Sequence, residues 1–195
     1  MPLIPDAANI QAPISTSEAM SHYGRLSGDS DWQLRFIGQC IRTSPHVGAV
    51  LLRRGWQETG WIGHGPFSSR YDSVRVLKWF SGVPRATLMK EEEQQALAAL
   101  SNPVVAWRAA PGRSPRLASC GLAWTVDQLV ARNVFVPRAV LRHGQCYLVE
   151  AEFPRSAVVA YFADQDESEL ILDWRQARKR RCVACFGRPI TSPRL

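Results

Sequence analysis

The feature that most constrains the fold is an abrupt change of residue pattern at Pro103. Five short segments rich in β-branched, apolar and aromatic residues follow it, at residues 104–107, 121–125, 146–153, 157–162 and 170–172. Within the third, apolar and aromatic side chains alternate at positions 147, 149, 151 and 153, which is the period of a strand. One helix is predicted among them over residues 126–133, because Thr125 and Gln128 have the spacing of a capping box. The chain after Pro103 is therefore predicted to form a compact, mainly β core.

The chain before Pro103 is predicted to be mainly helical. Ser30 and Gln33 have capping-box spacing, and apolar residues follow at helical intervals. Further helices are predicted over residues 72–80 and 89–100, whereas residues 47–61 are compatible with either strand or helix. Residues 1–28 are rich in Pro, Ala, Ser and Thr without periodicity, which is typical of a poorly ordered segment.

The order of these elements predicts an α+β fold with four parts. The predicted parts are a poorly ordered segment at residues 1–28, a helical region at 29–102, a β core at 103–174 and a basic tail at 175–195.

The net charge of +7 is concentrated at the end of the chain. Residues 175–195 contain seven Arg and Lys and no Asp or Glu, so residues 1–174 are formally neutral. This distribution favours a basic appendage, able to recruit nucleic acid through phosphate contacts, over a domain with a basic face.

Apolar runs and cysteines exclude several protein classes. The longest apolar runs, at residues 47–52 and 157–162, are far shorter than the roughly 20 residues that span a bilayer. The N-terminus lacks a secretory signal pattern, so we expect a cytoplasmic protein, or one delivered into the cytoplasm of a target cell. An odd number of cysteines, five, argues against a disulfide framework. Cys182 and Cys185 form a single CxxC motif with no second pair and no nearby His, so no metal site is predicted.

Three positions in the β half carry residues suited to chemistry. Arg108 follows the first apolar run, Thr125 ends the second, and Glu167 and Glu169 precede the last. Each has a structural explanation taken alone. An arginine at a strand end often pairs with an acid, a threonine often caps the following helix, and glutamates two apart often face water on an edge strand.

Taken together, residues 104–173 resemble the R-S-E class of mono-ADP-ribosyltransferases, which includes bacterial toxins and phage proteins. In that class an arginine ends the first core strand, a Ser/Thr motif follows the second, and a Glu-x-Glu motif opens a later strand. The resemblance implies a split β-sandwich that binds NAD, with no Gly-rich phosphate loop. It also implies transfer of ADP-ribose to a macromolecular acceptor.

The resemblance implies a role for each matching residue. Glu169 corresponds to the catalytic glutamate, and Glu167 to the glutamate that binds an acceptor guanidinium, which favours a protein arginine as acceptor. Arg108 corresponds to the arginine that holds the NAD phosphates and ribose, with Trp107 beside it on the cofactor side. Thr125 retains one hydroxyl of the Ser/Thr motif. Two further positions complete the motif: Trp124 is expected to wall the nicotinamide pocket or to be a core aromatic, and Ala123 replaces the usual first serine.

Three alternatives remain open from the sequence. With water as acceptor, the same site is an NAD glycohydrolase. The basic tail is compatible with a nucleic-acid-binding or nucleic-acid-modifying protein. The alanine at position 123 is compatible with a degenerate transferase fold that serves as a binding module.

Overall fold

The computed structural model describes residues 14–25, 30–58, 70–111, 114–163 and 167–187. The chain divides into two compact units, Met1–Glu91 and Glu92–Leu195. This boundary lies within the helix predicted over residues 89–100, whereas the sequence predicts the division at residue 103. No helix among the described residues is long and apolar enough to cross a membrane.

The first unit is helical in its described part. Its helices are α1 (Thr16–Arg25), α2 (Ser30–Thr43), α3 (Pro45–Glu58), α4 (Arg70–Gly82) and α5 (Arg85–Leu88).

Two of these helices correct or complete the sequence predictions. Helix α1 falls within residues 1–28, which were predicted to be poorly ordered, and it is anchored by the buried side chains of Ala19 and Tyr23. Residues 1–13 lie outside the described part. The ambiguous stretch forms α3, which approaches α2 closely because Gly48 has no side chain: a Cβ there would lie 2.6 Å from the Cα of Ile41.

The second unit is built on one antiparallel sheet of six strands in the order β4-β5-β2-β1-β3-β6. The strands are β1 (Val104–Ala110), β2 (Ala123–Thr125), β3 (Gln145–Phe153), β4 (Val158–Phe162), β5 (Glu169–Leu172) and β6 (Arg178–Gly187). The helices of this unit are α6 (Glu91–Ala99), α7 (Pro115–Ala118), α8 (Gln128–Val130) and α9 (Val136–His143), with a π-helical turn, Ala131–Phe135, joining the last two. The α+β class and the five predicted strands are confirmed.

The two central strands of the sheet, β1 and β2, are joined by little backbone pairing. These strands pair only at Trp107 and Thr125, whereas β1 pairs with β3 along its whole length. The sheet therefore consists of two three-stranded halves, β1-β3-β6 and β2-β5-β4, joined at a single residue pair. We call this place the junction.

Strand β6 corrects the prediction of a basic tail at residues 175–195. Its residues Val183, Ala184 and Phe186 pack against a buried cluster of Ala131, Val136, Ala139, Cys146 and Leu148. Its basic residues bind acids on β3: Arg181 lies 2.8 Å from Glu150 and Lys179 lies 3.0 Å from Glu152. The described part of the basic segment is thus an edge strand whose charges are partly neutralised by the neighbouring strand.

Candidate functional site at the junction of the sheet

The junction brings together residues that are distant in the sequence. Thr125 pairs with Trp107 of β1 on one side and with Glu169 of β5 on the other. Side chains of directly opposed residues in antiparallel strands lie on the same face. Trp107, Thr125 and Glu169 therefore form a row across one face of the sheet, at the point where the two halves meet.

Thr125 is a buried positioning residue. Its hydroxyl donates to the backbone carbonyl of Glu167 at 2.9 Å and accepts from the N–H of Asp127 at 3.0 Å. The cap of the following helix is Asp127, whose carboxylate accepts from two N–H groups of the first turn. The prediction that Thr125 caps this helix is wrong. Its hydroxyl connects the helix start to the Glu-x-Glu segment.

The Glu-x-Glu segment turns between its two glutamates. Glu169 is the first residue of β5 and is partly exposed, while Ser168 has a φ of 45°, a left-handed conformation that is uncommon for serine. Two glutamates at i and i+2 of a regular strand would point to the same face. Because the chain turns at Ser168 and β5 begins only at Glu169, this relation does not hold for Glu167 and Glu169. The bond from Thr125 to the carbonyl of Glu167 holds this turn in place.

Arg108 of β1 hydrogen-bonds to the backbone of β2 and of α7 next to the junction. The strand continues past it to Ala110, so Arg108 does not end the strand as predicted. Its Nε donates to the carbonyl of Ala118 at 3.0 Å and its Nη1 to that of Ala123 at 2.6 Å. Gly121 makes this possible, because a Cβ there would lie 2.3 Å from Nη2 of Arg108.

The electrostatic environment of Arg108 links it to the Glu-x-Glu segment. Burial lowers the pKa of Arg108 to about 10, while the negative charges of Glu169 and Cys120 act in the opposite direction. The guanidinium therefore stays protonated at neutral pH. It is a fixed cation that interacts with the Glu169 carboxylate across the junction.

The two tryptophans occupy different environments. Trp124 is fully buried, donates from Nε1 to the carbonyl of Gly121 at 2.8 Å and packs edge-on against Phe153. It is a core aromatic, so the expectation that it walls a nicotinamide pocket is wrong. Trp107 is only partly buried, and its Nε1 donates to Glu150 at 3.1 Å. Of the two rings, Trp107 is the one that lies beside Thr125 and Glu169 on the sheet.

Two residues around the site were not predicted from the sequence. Arg138 of α9 donates from Nη1 to Oε1 of Glu167 at 2.6 Å. Glu93 of α6 is buried, and its Oε1 accepts from the N–H of Ala163, just beyond β4, at 3.0 Å. Glu93 lies in a run of three glutamates that is typical of a solvated helix face, and Arg138 has no distinguishing local pattern, so neither carried a recognisable signal.

No metal centre is found among the described residues, where no group of three His, Cys, Asp or Glu is arranged to bind an ion. Cys182 and Cys185 lie exposed on β6 as free thiols. Comparisons of the chain with protein-family models, curated proteins and solved structures give no match. The geometry of the junction is therefore the basis for any functional assignment.

Proposed function

We propose that this protein is an NAD-dependent mono-ADP-ribosyltransferase. The observation that carries this proposal is the row of Trp107, Thr125 and Glu169 on one face of the sheet at the junction, with the buried cation of Arg108 next to Trp107 on β1. The single residue pair that joins the two halves supports a split NAD-binding core of the ADP-ribosyltransferase type. The chain would break the nicotinamide–ribose bond and transfer ADP-ribose to an arginine of a macromolecular acceptor.

Glu169 would stabilise the transition state. Cleavage of the nicotinamide–ribose bond develops positive charge on the ribose ring, as in glycoside cleavage. A carboxylate that accepts a hydrogen bond from the ribose 2′-OH stabilises this charge most strongly at the transition state. Glu169 begins β5 beside Thr125, which fixes the preceding turn through Glu167. Its position is thus set by the fold rather than by the substrate.

Arg108 would bind the NAD phosphates and ribose. Bonds from Nε and Nη1 to two carbonyls fix the plane of its guanidinium, so little conformational entropy is lost when the remaining N–H groups bind an anion. Trp107, in the row with Thr125 and Glu169, would offer its partly exposed ring to the nicotinamide. Ala123 lacks the serine hydroxyl of the family motif and contributes only its backbone carbonyl, which accepts from Arg108.

Glu167 would select the acceptor. Its carboxylate already binds a guanidinium, that of Arg138, at 2.6 Å, which supports an arginine acceptor on a protein. A nucleic-acid acceptor is less favoured, because Arg175, Lys179 and Arg181 are each paired with an acid of this chain. Since NAD is the co-substrate, we also propose that the protein acts in a cytoplasm, its own or that of a target cell.

Release of nicotinamide tests the proposal. Purified protein incubated with NAD should release nicotinamide, and Glu169→Gln should reduce the rate about a hundredfold or more, because one charge-stabilising group at the transition state is worth about 10²–10³ in rate. Glu152→Gln is the matched control, since Glu152 lies on β3 outside the junction and forms an ion pair with Lys179. Circular dichroism checks that both variants are folded.

The products distinguish the alternatives. Free ADP-ribose as the sole product would indicate a glycohydrolase on the same site. Equal turnover of wild type and Glu169→Gln would refute the catalytic assignment. Absence of NAD binding by calorimetry would refute the proposed function as a whole.

A further inference from the structure

Helix α9 presents an arginine to the proposed acceptor glutamate. Val136 and Ala139 lie on the face of α9 that is buried against the sheet. Arg138 lies on the opposite, exposed face of the same helix. The Arg138 side chain is 53% exposed and that of Glu167 is 17% exposed. The pair therefore joins an exposed guanidinium to a carboxylate that is largely enclosed by the protein.

The backbone at Glu167 is held by contacts besides this pair. Thr125 binds its backbone carbonyl, and Ser168 turns the chain immediately after it. An ordinary exposed ion pair between two flexible side chains contributes little and has no fixed geometry. Here the backbone of Glu167 is bound by Thr125, and its carboxylate is largely enclosed by the protein. Arg138 thus occupies the place where an arginine acceptor would have to bind.

We propose, on the basis of the function proposed above, that Arg138 is an acceptor within the same chain and is itself ADP-ribosylated. A guanidinium nitrogen of Arg138 forms a bond to C1′ of the nicotinamide ribose. The bond between C1′ and the nicotinamide nitrogen breaks, and nicotinamide leaves with the electron pair. The proton lost by the attacking nitrogen passes to the carboxylate of Glu167 and from there to solvent.

The step is balanced without any further reactant. NAD⁺ and the arginine give ADP-ribosyl-arginine, nicotinamide and a proton. Glu169 stabilises the ribose charge, and Glu167 orients the guanidinium and accepts its proton. Because acceptor and site belong to one chain, the rate per molecule does not depend on protein concentration.

Peptide mapping after incubation of the full chain with NAD tests this inference. We expect the mass of one ADP-ribosyl group on the peptide that contains Arg138, located by fragmentation. Arg138→Lys keeps a cation for Glu167 but should remove the modification. Arg132→Lys is the matched control, because Arg132 is an exposed arginine in the adjacent π-helical turn, and it should leave the modification in place. Glu167→Gln should reduce modification more than nicotinamide release.

The outcomes separate this inference from the proposed function. Nicotinamide release with an unmodified Arg138, or with modification only at other residues, would overturn the inference and leave the proposed function standing. A rate per molecule that rises with protein concentration would show transfer between molecules and overturn attack within one chain. Absence of nicotinamide release would overturn both.

Discussion

Replacement of Thr125 by valine tests whether its hydroxyl positions the site. Valine has nearly the same shape, so the packing of this completely buried side chain is kept while both of its hydrogen bonds are lost. The carbonyl of Glu167 and the N–H of Asp127 then lose their partner. A hydrogen bond contributes about 0.5–1.5 kcal/mol net, and because Asp127 is exposed and Glu167 half-buried, losing both bonds should lower the free energy of unfolding by about 1–3 kcal/mol.

The expected effect is large enough to measure by thermal unfolding. In a chain of this size, 1 kcal/mol corresponds to about 2–4 °C, so the melting temperature should fall by roughly 2–12 °C. Thr125→Ser is the matched control, since serine keeps the hydroxyl and loses one methyl group, at a cost of about 0.5–1.5 kcal/mol. Urea titration followed by tryptophan fluorescence gives the free energies of both variants.

The same pair of variants tests the link to activity. Below the unfolding transition, Thr125→Val should lower kcat for nicotinamide release, because the turn that carries Glu167 and leads to Glu169 is no longer held. The affinity for NAD, set mainly by Arg108, should change less. If Thr125→Val were as stable and as active as Thr125→Ser, the hydroxyl would have no positioning role and the reasoning would be refuted.

Three further predictions follow from individual contacts. Arg108→Lys loses the planar fork that binds two carbonyls, so NAD affinity should fall about ten- to a hundredfold in calorimetry; an unchanged Kd would contradict this. Hydrogen bonds from Arg175 lower the pKa of Asp173. The stability that this pair contributes to the fold is therefore present above pH 3.8, the ordinary pKa of the carboxyl group, and is lost as the pH falls through the lowered pKa. Asp173→Asn should therefore lower the melting temperature by about 2–4 °C at neutral pH, a difference that shrinks in acid; a constant difference would exclude the charge as its cause. Burial raises the pKa of Cys146 to about 11, whereas Cys182 is exposed. At mildly alkaline pH a thiol reagent should therefore modify Cys182 at least about ten times faster than Cys146, as measured by mass spectrometry. Equal rates for the two cysteines would contradict the burial of Cys146.

Local pattern was sufficient to predict most of the secondary structure. Alternation along β3 and the short apolar runs before and after it identified five strands, because strand periodicity is visible within a few residues. The helix beginning at Ser30 was also predicted, from its capping-box spacing and apolar period. The same local reading singled out Arg108, Thr125, Glu167 and Glu169, whose convergence at the junction was only an expectation from the family resemblance.

Local sequence pattern gave a wrong prediction for β6, a strand that is stabilised by contacts with distant residues. Strand β6 was interpreted as a solvated tail, because its first residues are basic. Two of those charges, on Lys179 and Arg181, pair with Glu152 and Glu150 on the neighbouring strand, and apolar residues of β6 pack on a cluster under α9. Composition identifies charge but not an opposite charge on a neighbouring strand. Only the register of β3 and β6 showed that this segment is a strand of the sheet.

The roles of the site residues were decided by tertiary structure. The sequence alone determined which residue types are present, where strands and helices are favoured, and that most of the net charge is at the end of the chain. It did not determine that Trp124 is enclosed while Trp107 faces the junction, or that Arg138 reaches Glu167. These facts depend on which face of the sheet each residue occupies and on which helix covers it. Both follow from long-range pairing, whose energy comes from contacts between residues far apart in the chain, and no short stretch of sequence contains that information.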